Sequence, residues 1–280
     1  MPFPVPTNLS PSRVEAFTSC PLAFRFASIE KLPEPPVAHL TKGSLVHRAL
    51  ELLFCRHPAD RTLEGGLEAL AAAVTEYRSD DEFLGLELDG EAEAGFLADT
   101  EDLMRRYFTM EDPQQIREIG IELYLEARVG RLTLRGIIDR LELDDDGELV
   151  VTDYKTGRPP SIQREQQRLG GVHFYAYLCQ QVFGRRPARI QLLYLSTGEI
   201  IMARPSEQSI EFLPRRTAAV WHAVERACEA GDFRPRVGPL CDHCGFKPWC
   251  PAWGGDPDRA AFEAPVHYGH GAVQLPLTMA

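Results

Sequence analysis

Several features that commonly assign a chain are missing from this one. No apolar run approaches the ~18 residues that a membrane-spanning helix needs. The opening residues, Met1-Pro2-Phe3-Pro4-Val5-Pro6, carry neither a basic stretch nor an apolar core, which argues against a secretory leader. There is no G-x-x-x-x-G-K-[ST] segment, so any unwinding of a duplex falls to a partner. Internal repeats are absent. The seven cysteines are an odd number in 280 residues. That argues against a secreted disulfide framework and for a reducing, cytoplasmic setting in which some thiolates hold metal.

Positive charge is also scarce, and a net charge of -11 speaks against a nucleic-acid partner. Its distribution weakens that objection. Residues 80–112 hold twelve acids against only Arg105 and Arg106, whereas residues 153–253 hold fourteen Lys and Arg against nine acids. Binding depends on the local field, so an acidic lobe beside a mildly basic half is compatible with a DNA-binding face. A hydrophobic content of 44% with 25% charged residues predicts a folded chain without a membrane partner.

The hydrophobic pattern changes along the chain. Ser10-Pro11 reads as an N-cap followed by a first-turn proline, with a break at Cys20-Pro21. Gly43 to Phe54 and residues 63–110 read as helical, and 254–280 as a flexible tail. Ile119, Ile121, Leu123 and Leu125 have the period of a strand. Further strands are expected over about 132–143, 149–155, 190–195 and 200–203, with helices over 166–183 and 207–230. Asp144-Asp145-Asp146-Gly147 is a turn signal. The order predicts an α/β fold with a mixed central sheet, drawn as one domain over 1–253 with a helical acidic insertion at about 60–112.

The chemistry concentrates in Gly136-Ile137-Ile138-Asp139-Arg140 and Asp153-Tyr154-Lys155. Asp153 and Lys155 are two apart on a strand and leave the same face. If the Asp144–Gly147 turn closes a hairpin, Asp139 lies across the ladder from Asp153. Two adjacent carboxylates repel unless a cation sits between them, and hard oxygen donors suit Mg²⁺ or Mn²⁺. Such a site can activate water and polarise a phosphoryl oxygen, with the lysine offsetting developing charge. The alternative is a surface hairpin with ordinary charges. Against it, Ile137, Ile138, Val150 and Val151 imply buried strands, where charges need a reason.

These segments resemble the G-x-x-D-R and D-Y-K signatures of the RecB-like branch of the PD-(D/E)XK nuclease superfamily. Gly43-Ser44-Leu45-Val46-His47 resembles that branch's G-x-x-x-H motif, and Glu122 stands where the branch often carries an acid. His173-Phe174-Tyr175-Ala176-Tyr177 resembles its Q-x-x-x-Y helix motif, with His173 replacing glutamine and Tyr177 as the tyrosine. The resemblance implies a restriction-endonuclease-like fold and metal-dependent DNA cleavage. It implies His47, Asp139 and Asp153 as metal ligands, Lys155 as the catalytic lysine and Glu122 as a weaker supporting acid. Tyr177 and His173 would touch DNA phosphate or the edge of the site.

A second constellation is C-x₂-C-x₅-C-P at Cys241, Cys244 and Cys250, which needs a fourth ligand. Cys55, Cys179 and Cys228 fall within expected helices and read as buried apolar residues. Cys20, in Ser19-Cys20-Pro21, stands at a helix break and is the chosen fourth; His243 is the alternative. Four thiolates could hold zinc or an iron–sulfur cluster. The distant cysteine with a C-terminal trio resembles the 4Fe–4S arrangement of Cas4-like nucleases, which implies a [4Fe–4S] cluster before zinc. The expected function is a DNA exonuclease acting on single-stranded ends in repair or recombination, with a helicase or repair-complex subunit as partner. The alternative is a non-cutting DNA-binding or scaffold subunit of the same fold.

Overall fold

The computed structural model describes residues 3–159 and 162–268, with the side chains of 160–170 left out of account. In chain order the elements are β1 (Asn8–Leu9), α1 (Pro11–Ser19), α2 (Pro21–Phe24), α3 (Ala38–Phe54), α4 (Leu63–Tyr77), α5 (Asp81–Leu84) and α6 (Gly90–Met110). Then come β2 (Arg117–Val129), β3 (Leu132–Leu143), β4 (Leu149–Lys155), α7 (Ile162–Phe183), β5 (Arg189–Tyr194) and β6 (Glu199–Ala203). Helices α8 (Glu207–Ala230) and α9 (Ala260–Tyr268) close the described chain. No helix among the described residues is long and apolar enough to cross a membrane.

The chain divides into two compact units, Pro36–Arg215 and the pair of segments Met1–Pro35 and Arg216–Ala280. In the larger unit, β2, β3 and β4 form an antiparallel meander, β4 and β5 run parallel, and β6 returns antiparallel to β5. This is the mixed sheet flanked by helices that the sequence pattern predicts. β4 is buried along Leu149–Tyr154, as the parallel pairing on one side and the antiparallel pairing on the other require of a central strand. Its hairpin with β3 turns where expected. Asp144 Oδ1 accepts the amide hydrogens of Asp146 and Glu148, and Gly147 takes φ 74°, which a residue with a Cβ resists.

The apolar face of α3 (Leu45, Val46, Ala49, Leu50, Leu53) packs with Ala69 and Ala73 of α4, Leu103 and Met104 of α6, and Tyr154 and Leu193 of the sheet. The acidic stretch is therefore an ordinary amphipathic cover: α6 buries Phe96, Leu103 and Tyr107 and turns its acids outward. The expected continuous helix over 63–110 is broken into α4, α5 and α6, each start capped by a side chain of Thr62, Asp80 or Asp89.

In the smaller unit, Ser10 caps α1 through its contact with the Arg13 amide, and Cys20 adopts an extended conformation between α1 and α2, so the expected break is present. Phe17, Leu22, Phe24 and Phe26 pack with Val224, Cys228, Phe246 and Trp249. The segment expected as a flexible tail from 254 instead contains α9, whose Ala260 and Ala264 are buried in that cluster. Two small residues four apart give too weak an apolar signal to be read as a helix. Residues 269–280 lie outside the described chain.

Candidate metal centre

β3 and β4 are laddered from Leu143↔Leu149 to Arg140↔Thr152 and no further. Asp139 and Asp153 come next in that register. There the Asp139 side chain replaces a backbone partner, its Oδ2 accepting the Tyr154 N–H at 2.7 Å. Both carboxylates are buried, at 8% and 5% exposure. Asp153 Oδ2 accepts no hydrogen bond, and its charged neighbour is the Lys155 ammonium in an ion pair.

α3 supplies His47 from the other side of the gap. One turn earlier, Gly43 has no side chain, and a Cβ there would lie 3.2 Å from Thr156 Oγ1. The bare glycine lets the helix approach the end of β4. His47 Nε2 lies 3.1 Å from the Tyr154 carbonyl oxygen. A carbonyl only accepts, so the proton is assigned to Nε2. The Nδ1 lone pair then faces Asp139 Oδ2 at 3.6 Å and Glu122 Oε1 at 3.8 Å.

Three electron-rich atoms in that position repel unless a proton or cation lies among them. Burial alone would lower the His47 pKa, but the Glu122 side chain and the charges of Asp139 and Asp153 outweigh it, and the net shift is upward. Asp139 is also pushed up, by burial first and the Asp153 charge second, against the opposing pull of His47, Lys155 and the Tyr154 amide. One donor atom each of His47, Glu122 and Asp139 lies within 4.8 Å of the others, the single such trio among the described residues. One imidazole nitrogen and two carboxylate oxygens, with the Lys155-paired Asp153 carboxylate nearby, fit a divalent cation of the Mg²⁺ or Mn²⁺ kind.

Arg140 turns the opposite way from Asp139 and is fully buried. It pairs with Glu111 and Glu142, and it donates to the Tyr154 hydroxyl at 2.6 Å and to Thr152 Oγ1 at 3.1 Å. The guanidinium lies over the Phe54 ring, 5.0 Å from its centroid. It therefore clamps β3, β4 and α6 together behind the acids. Its place in the motif carries a structural duty.

Of the two α7 candidates, His173 is half-buried and Tyr177 is buried. Burial alone raises the Tyr177 hydroxyl. Tyr175 stands out instead. Its hydroxyl is raised by burial first and then by the charges of Asp153, Asp139 and Glu122, so it lies within their field. Gly136 makes room for it: a Cβ there would stand 3.1 Å from Tyr175 Cε1. The signal was present in the quoted helix motif, but two tyrosines two apart lie on different sides of a helix, and only packing tells which one faces the site.

Within the smaller unit, Cys20, Cys241, Cys244 and Cys250 line one cavity together with Leu22, Phe26, Phe246 and Trp253. Backbone N–H groups of Arg236 and Gly238 point at the sulfurs of Cys20 (3.5 Å) and Cys241 (3.4 Å). Burial raises the Cys244 thiol, and the neighbouring Cys20 and Cys241 add to the shift. His243 does not line this cavity. Cys179 and Cys228 are buried as expected, but Cys55 is exposed, because it caps the end of α3 rather than sitting within it.

A family model described as PD-(D/E)XK nuclease superfamily matches residues 8–251. The chain is 24% identical to the Gene 69 protein of Mycobacterium phage D29 over 273 residues, covering 87% of this chain and 96% of that protein. It is also 24% identical to the Gene 69 protein of Mycobacterium phage L5 over 284 residues, covering 85% and 92%. Among solved structures, an exonuclease candidate from Eubacterium rectale superposes with a TM-score of 0.50 at 12% identity, over 85% of this chain and 87% of that one. That likeness concerns the fold.

Proposed function

The chain belongs to the PD-(D/E)XK nuclease superfamily, and from that premise we propose that it is an exonuclease hydrolysing phosphodiester bonds at single-stranded DNA ends. The observation that carries the reading is the His47–Glu122–Asp139 donor trio beside the Asp153–Lys155 ion pair. His47, Glu122 and Asp139 would hold the cation, with Asp153 as the adjoining carboxylate. A bound divalent metal supplies Lewis acidity toward the scissile phosphate and acidifies a water. Lys155 orients the attacking water and offsets charge developing on the phosphoryl oxygens. The Tyr154 carbonyl fixes the His47 tautomer, so that Nδ1 remains a lone-pair donor. Tyr175, whose hydroxyl feels the charges of the acid cluster, would serve as a proton donor toward a phosphate oxygen there.

We further infer a role in DNA repair or recombination with a helicase subunit, since the chain has no nucleotide-driven motif of its own. We infer that Cys20, Cys241, Cys244 and Cys250, which line one cavity, would hold a [4Fe–4S] cluster, with zinc as the less favoured occupant of the same thiolates.

The test is incubation of purified protein with end-labelled single and double strands under Mg²⁺, Mn²⁺ or chelator. Metal-dependent shortening of single strands from their ends is expected. Binding without cutting in every metal would favour the non-cutting subunit. Cutting that persists in chelator would overturn the metal assignment.

A further inference from the structure

The Glu122 carboxylate reaches His47 by an unusual route. A register shift between Glu118 and Gly120 leaves Ile119 out of the β2–β3 ladder. Pairing resumes at Gly120↔Leu141 and Ile121↔Arg140, then skips to Leu123↔Ile138, so neither Glu122 nor Asp139 has a ladder partner. At the gap Glu122 takes φ 45°. That is the left-handed region, costly for a residue with a Cβ and most often found where a site demands it.

The left-handed residue kinks β2 locally without ending the strand. In an extended strand, residues three apart lie about 10 Å from each other. Here the Leu123 side chain lies on Gly120: a Cβ at Gly120 would stand 2.8 Å from Leu123 Cδ2 and 3.2 Å from its Cβ. The backbone of Gly120 itself keeps an ordinary φ, since it is not among the positive-φ glycines. What the position needs is the missing side chain, which lets Leu123 close over the bend and hold the left-handed backbone at Glu122.

We propose that Gly120 is a positioning residue for the metal site, acting through Leu123 to hold the Glu122 carboxylate opposite His47 and Asp139. Gly120 touches no cation donor. A methyl group there forces Leu123 outward, releases the bend, and lets Glu122 relax toward ordinary strand geometry with its carboxylate turned away. The inference rests on the metal reading of the trio but adds a residue outside it.

The experiment is Mn²⁺ binding by calorimetry on full-length protein, with far-UV circular dichroism and melting as controls for folding. Gly120→Ala should weaken Mn²⁺ on the order of 10-fold or more, the size typical of losing a group that orients a ligand. Leu123→Ala alone should weaken Mn²⁺ to a similar extent, and Gly120→Ala should add little in that background, because both remove the same closure over the bend. In a Glu122→Gln background, Gly120→Ala should cause no further loss, since the two substitutions act on one interaction. Wild-type affinity in folded Gly120→Ala would overturn the inference, as would full additivity with Glu122→Gln. A wild-type protein that takes up no Mn²⁺ would overturn the metal reading itself, and this inference with it.

Discussion

Asp139 accepts the backbone N–H of Tyr154 at 2.7 Å, one residue beyond the last rung of the β3–β4 ladder. A side chain thus completes the strand pairing, and the gap it bridges is where the acids gather. Cutting that bond should loosen the end of β4, which carries Asp153 and Lys155.

Asp153→Ala and Lys155→Ala should abolish cutting while leaving the fold intact. Asp153 is buried with Lys155 as its ion-pair partner, so folding is checked beside the rate. Losing the charge-offsetting lysine or a cation-facing carboxylate should lower the rate on the order of 10³-fold or more. The measurement is single-turnover cleavage of an end-labelled strand, with melting temperature as control. Near-normal rates would remove these residues from the mechanism.

The two tyrosines of α7 should differ. Tyr175→Phe removes a hydroxyl that feels the charges of Asp153, Asp139 and Glu122 and should slow cleavage by roughly 10-fold or more, within the range of a single positioned donor. Tyr177→Phe removes a hydroxyl that feels burial alone and should leave the rate within about threefold of wild type, the size of a lost weak contact. The reverse ranking in kcat would show that Tyr177 faces the phosphate.

Arg140→Met should destabilise the protein by about 3–5 kcal/mol, because Glu111 and Glu142 would be left buried without their shared cation. Urea unfolding measures the loss. A change below 1 kcal/mol, on the scale of an exposed pair, would mean that water reaches the network.

Cys20→Ser should yield protein without iron or acid-labile sulfide and with a lower melting temperature, whereas Cys55→Ser should keep both. A cluster joining Cys20 to Cys250 would close a loop of roughly 230 residues, and loop-entropy arithmetic gives about 5 kcal/mol for such a crosslink. Full iron in Cys20→Ser would exclude Cys20 as a ligand. The remaining thiols should separate by alkylation at pH 8. Burial pushes Cys179 up to about 12, and the reactive thiolate forms only as pH rises toward the pKa. Cys179 should therefore stay unmodified in native protein while the exposed Cys55 reacts.

Much of the architecture was legible because it rests on local rules. The cap at Ser10, the Asp144–Gly147 turn and the apolar run of Leu149–Val151 each act over a few residues, and the elements fell where those signals lie. The approach of Asp139 to Asp153 was likewise legible, since one turn sets a hairpin register whose last rung, Arg140↔Thr152, directly precedes them. The break of 63–110 into three helices was missed because Asp80 and Asp89 read equally well as surface acids.

The site's final form was decided by packing. Spacing places Glu122 on a strand, but only the lost rungs and the left-handed backbone bring its carboxylate to His47. Helical periodicity separates Tyr175 from Tyr177, but only packing shows that it is the Tyr175 ring that lies on the bare Gly136. Residue types and short-range register are properties of the chain itself. The direction in which a charged side chain leaves a twisted, interrupted hairpin depends on what the rest of the molecule presses against it.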